Sequence, residues 1–217
     1  MEYLYQVSLK SILTLENGLK ETGSGYNLVS ITLVYPREGV KSVETIKKFK
    51  LKPGKENQLK NISFSEKLLF KESIQGDSSI VVKLTSLEKV QKIDTIINSA
   101  VKAGVIAGIA SLSGGLGITL LATTTKTITS SLFDFSKPKD KLNVIGYKEF
   151  PFNNEIKEGE LILNLSVPKK LVLKERLRKD GKEVIQTKTL KKGMGIAQLK
   201  LYIKKIPKYN IAVQTLA

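Results

Sequence analysis

The segment VLKERLRKDGKEVIQTKTL, residues 172–190, gives the clearest indication of the fold. Apolar and polar residues alternate on both sides of Asp180-Gly181, a dipeptide that favours the two-residue turn of a β-hairpin. Such a turn predicts a register in which Leu177 lies opposite Val184. Alternation divides the first strand into a face with Leu171, Leu173, Glu175 and Leu177 and a face with Val172, Lys174, Arg176 and Arg178.

Other strand-like runs surround this hairpin. The first 86 residues contain five runs rich in Val, Ile, Leu, Thr and Tyr, separated by turn signals such as Asn17-Gly18. Two of these runs, 64–74 and 79–85, are predicted to pair with each other across a short turn. Five further strands, including the two of the hairpin, follow residue 141. The chain therefore reads as mainly antiparallel β-sheet.

A long uncharged segment separates the two groups of strands. Residues 103–125, AGVIAGIASLSGGLGITLLATTT, contain no charge in a chain that is 26% charged. Apolar residues recur at helical spacing from about residue 86, and Gly114-Gly115 interrupts the run. We therefore expect two helices folded back on each other over about 86–133. Gly114-Gly115 divides the uncharged segment into two halves, each only about 15 Å long as a helix, so a permanent membrane span is not expected.

These elements predict a single domain over residues 1–217, an antiparallel β-sandwich with an inserted helical hairpin. The segment LLFKESIQGDSSIVVKLTS, residues 68–86, resembles the paired central strands of a C2 domain: an apolar-Phe-x-Glu strand, a short turn and an apolar strand. The resemblance implies a C2-like sandwich that binds membranes peripherally or binds other proteins, often through a lysine-rich β-face. Calcium-binding C2 domains need several aspartates in loops, whereas the five aspartates here are scattered. No calcium site is therefore implied.

The composition limits the catalytic groups, metal ligands and binding partners that the protein can use. The net charge is +16, and 33 of the 36 basic residues are lysines, which attract anionic surfaces without reading a nucleic-acid sequence. The absence of His and Cys excludes imidazole and thiolate catalysis and the usual zinc ligand sets. The N-terminal MEYLYQVSLK reads as a strand rather than a signal peptide. We therefore expect a cytoplasmic protein, with peripheral membrane association as an alternative.

Two groups of residues are candidate contact sites. The first consists of cations in and after the 172–190 hairpin: Lys174, Arg176, Arg178, Lys182, Lys191 and Lys192. These cations would attract an anionic membrane or an acidic protein, or would only keep an exposed edge strand from pairing. The second group lies in the uncharged segment: Gly104, Ile106, Gly108, Ile109, Leu112 and Leu116. Its small residues four apart would allow close helix packing within the fold, against a partner or in lipid.

The sequence thus favours a non-catalytic binding or assembly module that engages an anionic membrane surface or an acidic protein partner. One alternative is a structural subunit of a homo- or hetero-oligomer, with the helical hairpin as the subunit interface. Non-specific nucleic-acid binding is less favoured, because arginine is scarce and aromatic residues make up only 6% of the chain. No constellation of Lys, Ser, Tyr or carboxylates indicates catalysis. An enzyme is the least expected class, and no cofactor or metal is expected.

Overall fold

The computed structural model of the chain describes residues 3–18, 26–35, 42–74, 76–87, 106–111, 117–122, 143–179 and 182–208. Within these residues it contains thirteen strands and one single-turn helix. The strands are β1 (Tyr3–Thr14), β2 (Tyr26–Val34), β3 (Val43–Phe49), β4 (Glu56–Gln58), β5 (Leu68–Ser73), β6 (Ser78–Leu87), β7 (Ile106–Ser111), β8 (Gly117–Ala122), β9 (Asn143–Phe152), β10 (Gly159–Ser166), β11 (Leu171–Lys179), β12 (Lys182–Leu190) and β13 (Gly195–Pro207). The helix is α1 (Phe64–Lys67).

Eleven of these strands form one antiparallel sheet. Its order is β4-β1-β13-β10-β9-β6-β2-β3-β8-β7, and β5 pairs with the same edge of β1 as β4 does. The strands β1 and β13, from opposite ends of the chain, pair along nearly their whole length. A single residue pair, Ser166 opposite Tyr147, joins β10 to β9. The sheet therefore consists of two well-paired halves that meet at one narrow connection.

Hydrogen bonds from side chains also link the two halves. The hydroxyl of Thr45 on β3 donates to the backbone carbonyl of Leu69 on β5. The hydroxyl of Tyr35, just after β2, donates to the carbonyl oxygen of Ser73 at a distance of 3.2 Å. Because β5 pairs with β1 whereas β3 pairs with β2, these bonds connect strands that belong to different halves. The sheet consequently curls around a single core.

The core contains side chains from both halves. Along β13, Leu199 and Leu201 are buried while the residues between and beside them point outward, as in a sheet with one face on a core. Phe152 on β9 packs edge-to-face against Tyr5 on β1 and Phe70 on β5, with ring centroids 5.8 and 5.9 Å apart. Burial of this aromatic cluster holds the two halves together, because each large apolar side chain contributes about 1.5–3 kcal/mol.

The structure confirms a mainly β, antiparallel fold and corrects the rest of the predicted fold class. The predicted sandwich of two separate sheets is wrong, because the main strands are hydrogen-bonded into one curled sheet. The predicted helical hairpin over 86–133 is also wrong, since the part of that range that the structure describes contains no helix. Here β6 continues to residue 87, β7 pairs with β8, and β8 pairs with β3. The resemblance to C2 domains stays a prediction, because none of these features tests it.

The error over 86–133 has a physical reason. An uncharged run has no charged residues to mark a solvent-facing side, so periodicity cannot separate a strand from a helix there. β-Branched residues such as Ile118 and Thr119 favour extended backbone, and pairing with β3 supplies their hydrogen bonds. The remaining parts of the range, 88–105, 112–116 and 123–133, lie outside the described residues.

The predicted pairing of runs 64–74 and 79–85 is wrong as well. The structure pairs β5 with β1 and places β6 between β2 and β9. Residues Phe64–Lys67, assigned to the first run, form α1 instead. A short polar turn joins either hydrogen-bonded neighbours or strands on opposite sides of a core, and local sequence does not separate these cases. Here the turn connects the two halves of the sheet.

Replacing Thr45 by valine should destabilise the fold, because the isosteric side chain cannot donate to the Leu69 carbonyl. We expect a loss of about 1–2 kcal/mol in the free energy of unfolding, measured by urea denaturation. Thr32→Val is the matched control: the Thr32 hydroxyl is buried and has no hydrogen-bond partner among the described residues, so valine should be neutral or stabilising there. Equal losses in the two variants would contradict a role for Thr45 in closing the sheet.

Candidate functional site: a basic arm and a polar groove

The structure confirms the β-hairpin predicted over residues 172–190. The strands β11 and β12 pair in antiparallel register with Leu177 opposite Val184, as predicted. The hairpin is inserted between β10 and β13, which pair with each other up to Ser166. Backbone hydrogen bonds extend that pairing to Val167 at the base of the insertion. We call residues 171–190 the arm.

The arm contributes buried side chains at its base. Three leucines there belong to the core: Leu171, Leu173 and Leu190. In contrast, every side chain of residues 182–189 is exposed. An ion pair between Lys188 and Glu16 links the arm to the chain that follows β1. Nine extended residues span about 30 Å, so the exposed part of the arm extends well beyond its buried base.

The arm and the residues that flank it are strongly basic in sequence. Residues 169–192 contain ten Lys or Arg and only three acidic residues. Three of the predicted contact residues are exposed: Lys182, Lys191 and Lys192. The other three occupy alternate positions of β11: Lys174, Arg176 and Arg178. Exposed aliphatic side chains accompany them, with Val172 55%, Val184 44% and Ile185 63% accessible.

The contact residues predicted in the uncharged segment do not lie on the same strands as the predicted basic contact residues. Of its members, Gly104, Leu112 and Leu116 lie outside the described residues. The others belong to β7, which pairs with β8: Ile106, Gly108 and Ile109. The arm strands pair with each other instead. The structure thus places the two groups on separate strands with no pairing between them in the described part of the chain.

A groove that the sequence did not reveal lies on the outer face of β1, β13 and β10. Its volume is about 670 Å³, and β4 and α1 also contribute lining residues. Cross-strand pairing builds its floor, since Ser8 and Glu160 lie on either side of Tyr202, and Gln6 lies opposite Lys204. The groove therefore collects polar side chains from both ends of the chain.

An ion pair crosses the floor of the groove. The Nζ atom of Lys10 lies 2.7 Å from Oε1 of Glu160 and 4.7 Å from the centroid of the Tyr202 ring. The hydrogen bond from Lys10 and then its charge lower the pKa of Glu160. Lys10 is thus held between a carboxylate and an aromatic ring, which orients its ammonium group.

A second carboxylate, Glu56 on β4, has a full set of donors. The Ser11 hydroxyl lies 2.6 Å from Glu56 Oε1, the Gln58 amide 3.1 Å from Oε2, and the Lys200 ammonium 3.1 Å from Oε1. The bond from Ser11, followed by those from Gln58 and Lys200, lowers the pKa of Glu56 to about 2. This carboxylate is therefore ionised at neutral pH and already occupied as an acceptor, which makes it a poor proton donor or base.

A β-bulge places two of these residues in the groove. The register of β1 against β13 shifts between Leu9 and Ser11, so that Lys10 is an extra residue. Lys10 and Ser11 consequently both line the groove, although they are adjacent in the chain. The adjacent polar residues Lys10 and Ser11 interrupt the alternation of β1, and they were the one sequence signal of the groove. Nothing local connected it with Glu56 or Glu160.

The described residues limit the chemistry of the two sites. Among them, no three acidic side chains come together as a metal site would require. The part of the chain that the structure describes also contains no helix long and apolar enough to cross a membrane. The arm and the groove offer charges, amides and apolar contacts, which suit binding. Comparisons of the chain with models of known protein families and with curated proteins find no match.

The depressed pKa of Glu56 predicts a pH dependence of stability. A carboxylate with a folded-state pKa of about 2, against an ordinary value of 4.5, stabilises the fold fully above pH 4.5 and loses this contribution as the pH falls towards 2. Glu56→Gln should therefore flatten the decline of the thermal midpoint across this window. The control is Glu155→Gln, at an exposed carboxylate in the β9–β10 connection, which should keep the slope of the unmodified protein. Identical slopes for Glu56→Gln and the unmodified protein would refute the assignment.

Proposed function

We propose that this protein is a non-catalytic binding module that docks onto an anionic membrane surface through its arm. The observation that carries the proposal is the exposure of residues 182–189, which are eight of the nine residues of β12, in a basic stretch of the chain. Two-stranded hairpins are marginally stable by themselves in water, so a projecting arm of this length gains stability when a surface covers it. Because the hairpin is basic, a surface that covers it should carry negative charge.

The side chains of the arm match the chemistry of a lipid interface. Each Lys or Arg close to an anionic bilayer contributes about 1 kcal/mol, and this attraction needs no fixed geometry. The exposed aliphatic groups of Val184 and Ile185 lie near the turn of the hairpin and would enter the apolar boundary below the headgroups. A folded protein partner would more often require complementary shape and bidentate arginine contacts, whereas eight of the ten cations of residues 169–192 are lysines.

The pairing of the arm supports one second candidate, a structural subunit. Among the described residues β11 and β12 pair only with each other, so each has an outer edge at which another chain could add a strand.

Light scattering coupled to size-exclusion chromatography separates the two candidate functions, membrane docking and a structural subunit. A stable oligomer that dissociates when β12 carries proline would favour the subunit, whereas a monomer at all concentrations would favour docking on membranes.

The membrane proposal is tested by co-sedimentation with vesicles of phosphatidylcholine, with and without phosphatidylserine. The unmodified protein should sediment with the acidic vesicles only, and added salt should release it. Reversing the charge of exposed cations in the arm and directly after it, in K182E/K191E/K192E, should cost at least about 3 kcal/mol, roughly 100-fold in affinity.

The control variant K52E/K55E/K157E has the same net charge but alters exposed lysines outside the arm. It should retain most of the binding. Three results would overturn the proposal: equal sedimentation with neutral vesicles, no sedimentation with either kind, or an equal loss in the control.

A further inference from the structure

We propose that the groove on β1, β13 and β10 binds an acidic saccharide, a sugar chain that carries carboxylates. The proposal is independent of the arm and of membrane docking. It rests on the size of the groove, on its charges, on an exposed aromatic ring at its border, and on the pairing of β1 and β13 on both of their edges.

The groove has the size of a ligand site. Its volume of about 670 Å³ lies within the ~300–1,000 Å³ range that is usual for small-molecule pockets and accommodates a few sugar rings. The Phe64 side chain of α1 lines it and is 54% exposed to solvent. Covering an exposed phenyl ring with an apolar surface is favourable, because it removes the ring from water. The C–H face of a sugar ring is such a surface.

The charges of the groove favour an anion. Five lysines line it against two glutamates, and the glutamates are already paired with Lys10 and Lys200. The other three have no carboxylate partner among the described residues: Lys60, Lys67 and Lys204. Of these, Lys67 donates to the backbone carbonyl of Lys60. A ligand with carboxylates would pair with these ammonium groups without having to displace an existing ion pair.

The remaining polar groups favour hydroxyls as the other part of the ligand. Gln6, Gln58 and Ser8 supply neutral amides and a hydroxyl along the groove, and such groups both donate and accept hydrogen bonds. The Tyr202 phenol adds another donor and acceptor on the floor. Because the groove combines neutral hydrogen-bonding groups with ammonium groups that have no carboxylate partner among the described residues, it matches a polyhydroxylated acid better than a simple inorganic anion.

The backbone of the floor argues against peptides and nucleotides. The strand β13 lies between β1 and β10, and β1 in turn pairs with β4 and β5, so the main-chain groups of β1 and β13 are largely used within the sheet. An extended peptide would need a free strand edge, which among the three floor strands only β10 offers, on its side away from β13. A nucleotide phosphate is commonly held by free backbone N–H groups at a helix start or in a nest. Recognition across β1 and β13 must therefore come from side chains.

The proposal is tested by isothermal titration of the full chain with trigalacturonate, a uronic-acid trisaccharide. The neutral galactose trisaccharide and ATP serve as comparison ligands. We expect trigalacturonate to bind, and to bind at least about tenfold more tightly than either comparison ligand. Both K60Q/K204Q and Phe64→Ala should weaken binding by about fivefold to tenfold, because each removes exposed contacts and leaves the ion pairs of the floor intact.

The control K52Q/K55Q removes two exposed lysines outside the groove and should bind as the unmodified protein does. Circular dichroism verifies that each variant is folded, which is expected because the altered side chains are exposed. The proposal is overturned if trigalacturonate does not bind, if the neutral sugar or ATP binds equally well, or if the groove variants bind no more weakly than the control. The vesicle assay with K60Q/K204Q separates this site from the arm, since binding to acidic vesicles should persist.

Discussion

The pairing of β1 with β13 is the interaction on which the rest of the structure depends. It runs from Tyr3 opposite Pro207 to Thr14 opposite Ala197 and joins strands nearly 200 residues apart in the chain. Closing so long a loop costs conformational entropy before any contact is gained. The cost is offset because both strands bury an apolar face, with Leu9 and Leu201 among the core residues.

Both candidate sites derive from this pair of strands. The outer face of β1 and β13 forms most of the groove floor, and the bulge at Lys10 brings an additional cation into it. The arm begins where the pairing of β10 with β13 ends, and the ion pair of Lys188 with Glu16 attaches it to the chain after β1. A sheet with a buried core thus carries a hairpin whose second strand is largely exposed. The contrast is physical, since the sheet is held by a core and the exposed part of the arm is not.

The two sites use lysine in different ways. In the groove, Lys10 and Lys200 are paired with Glu160 and Glu56, so the shape of the floor is defined before any ligand arrives. Such preorganisation suits the proposed ligand, which would pair with the three groove lysines that have no carboxylate partner among the described residues. On the arm, Lys182 is exposed and acts as a diffuse charge, which suits a surface without fixed geometry. The two proposed sites therefore differ in how far ion pairs fix their structure.

The sequence by itself determined the β class, the antiparallel arrangement and the register of the arm. These follow from alternation and from the Asp180-Gly181 turn, which act between residues close together in the chain. Only the tertiary structure decided that the strands form one curled sheet, that residues 106–111 and 117–122 are extended, and that Glu56, Glu160 and Tyr202 share a groove. Backbone hydrogen bonds are alike for every residue type, so a local pattern records which face is buried but not which distant strand lies beside it. The partners are selected by packing around the common core, a property of the whole chain.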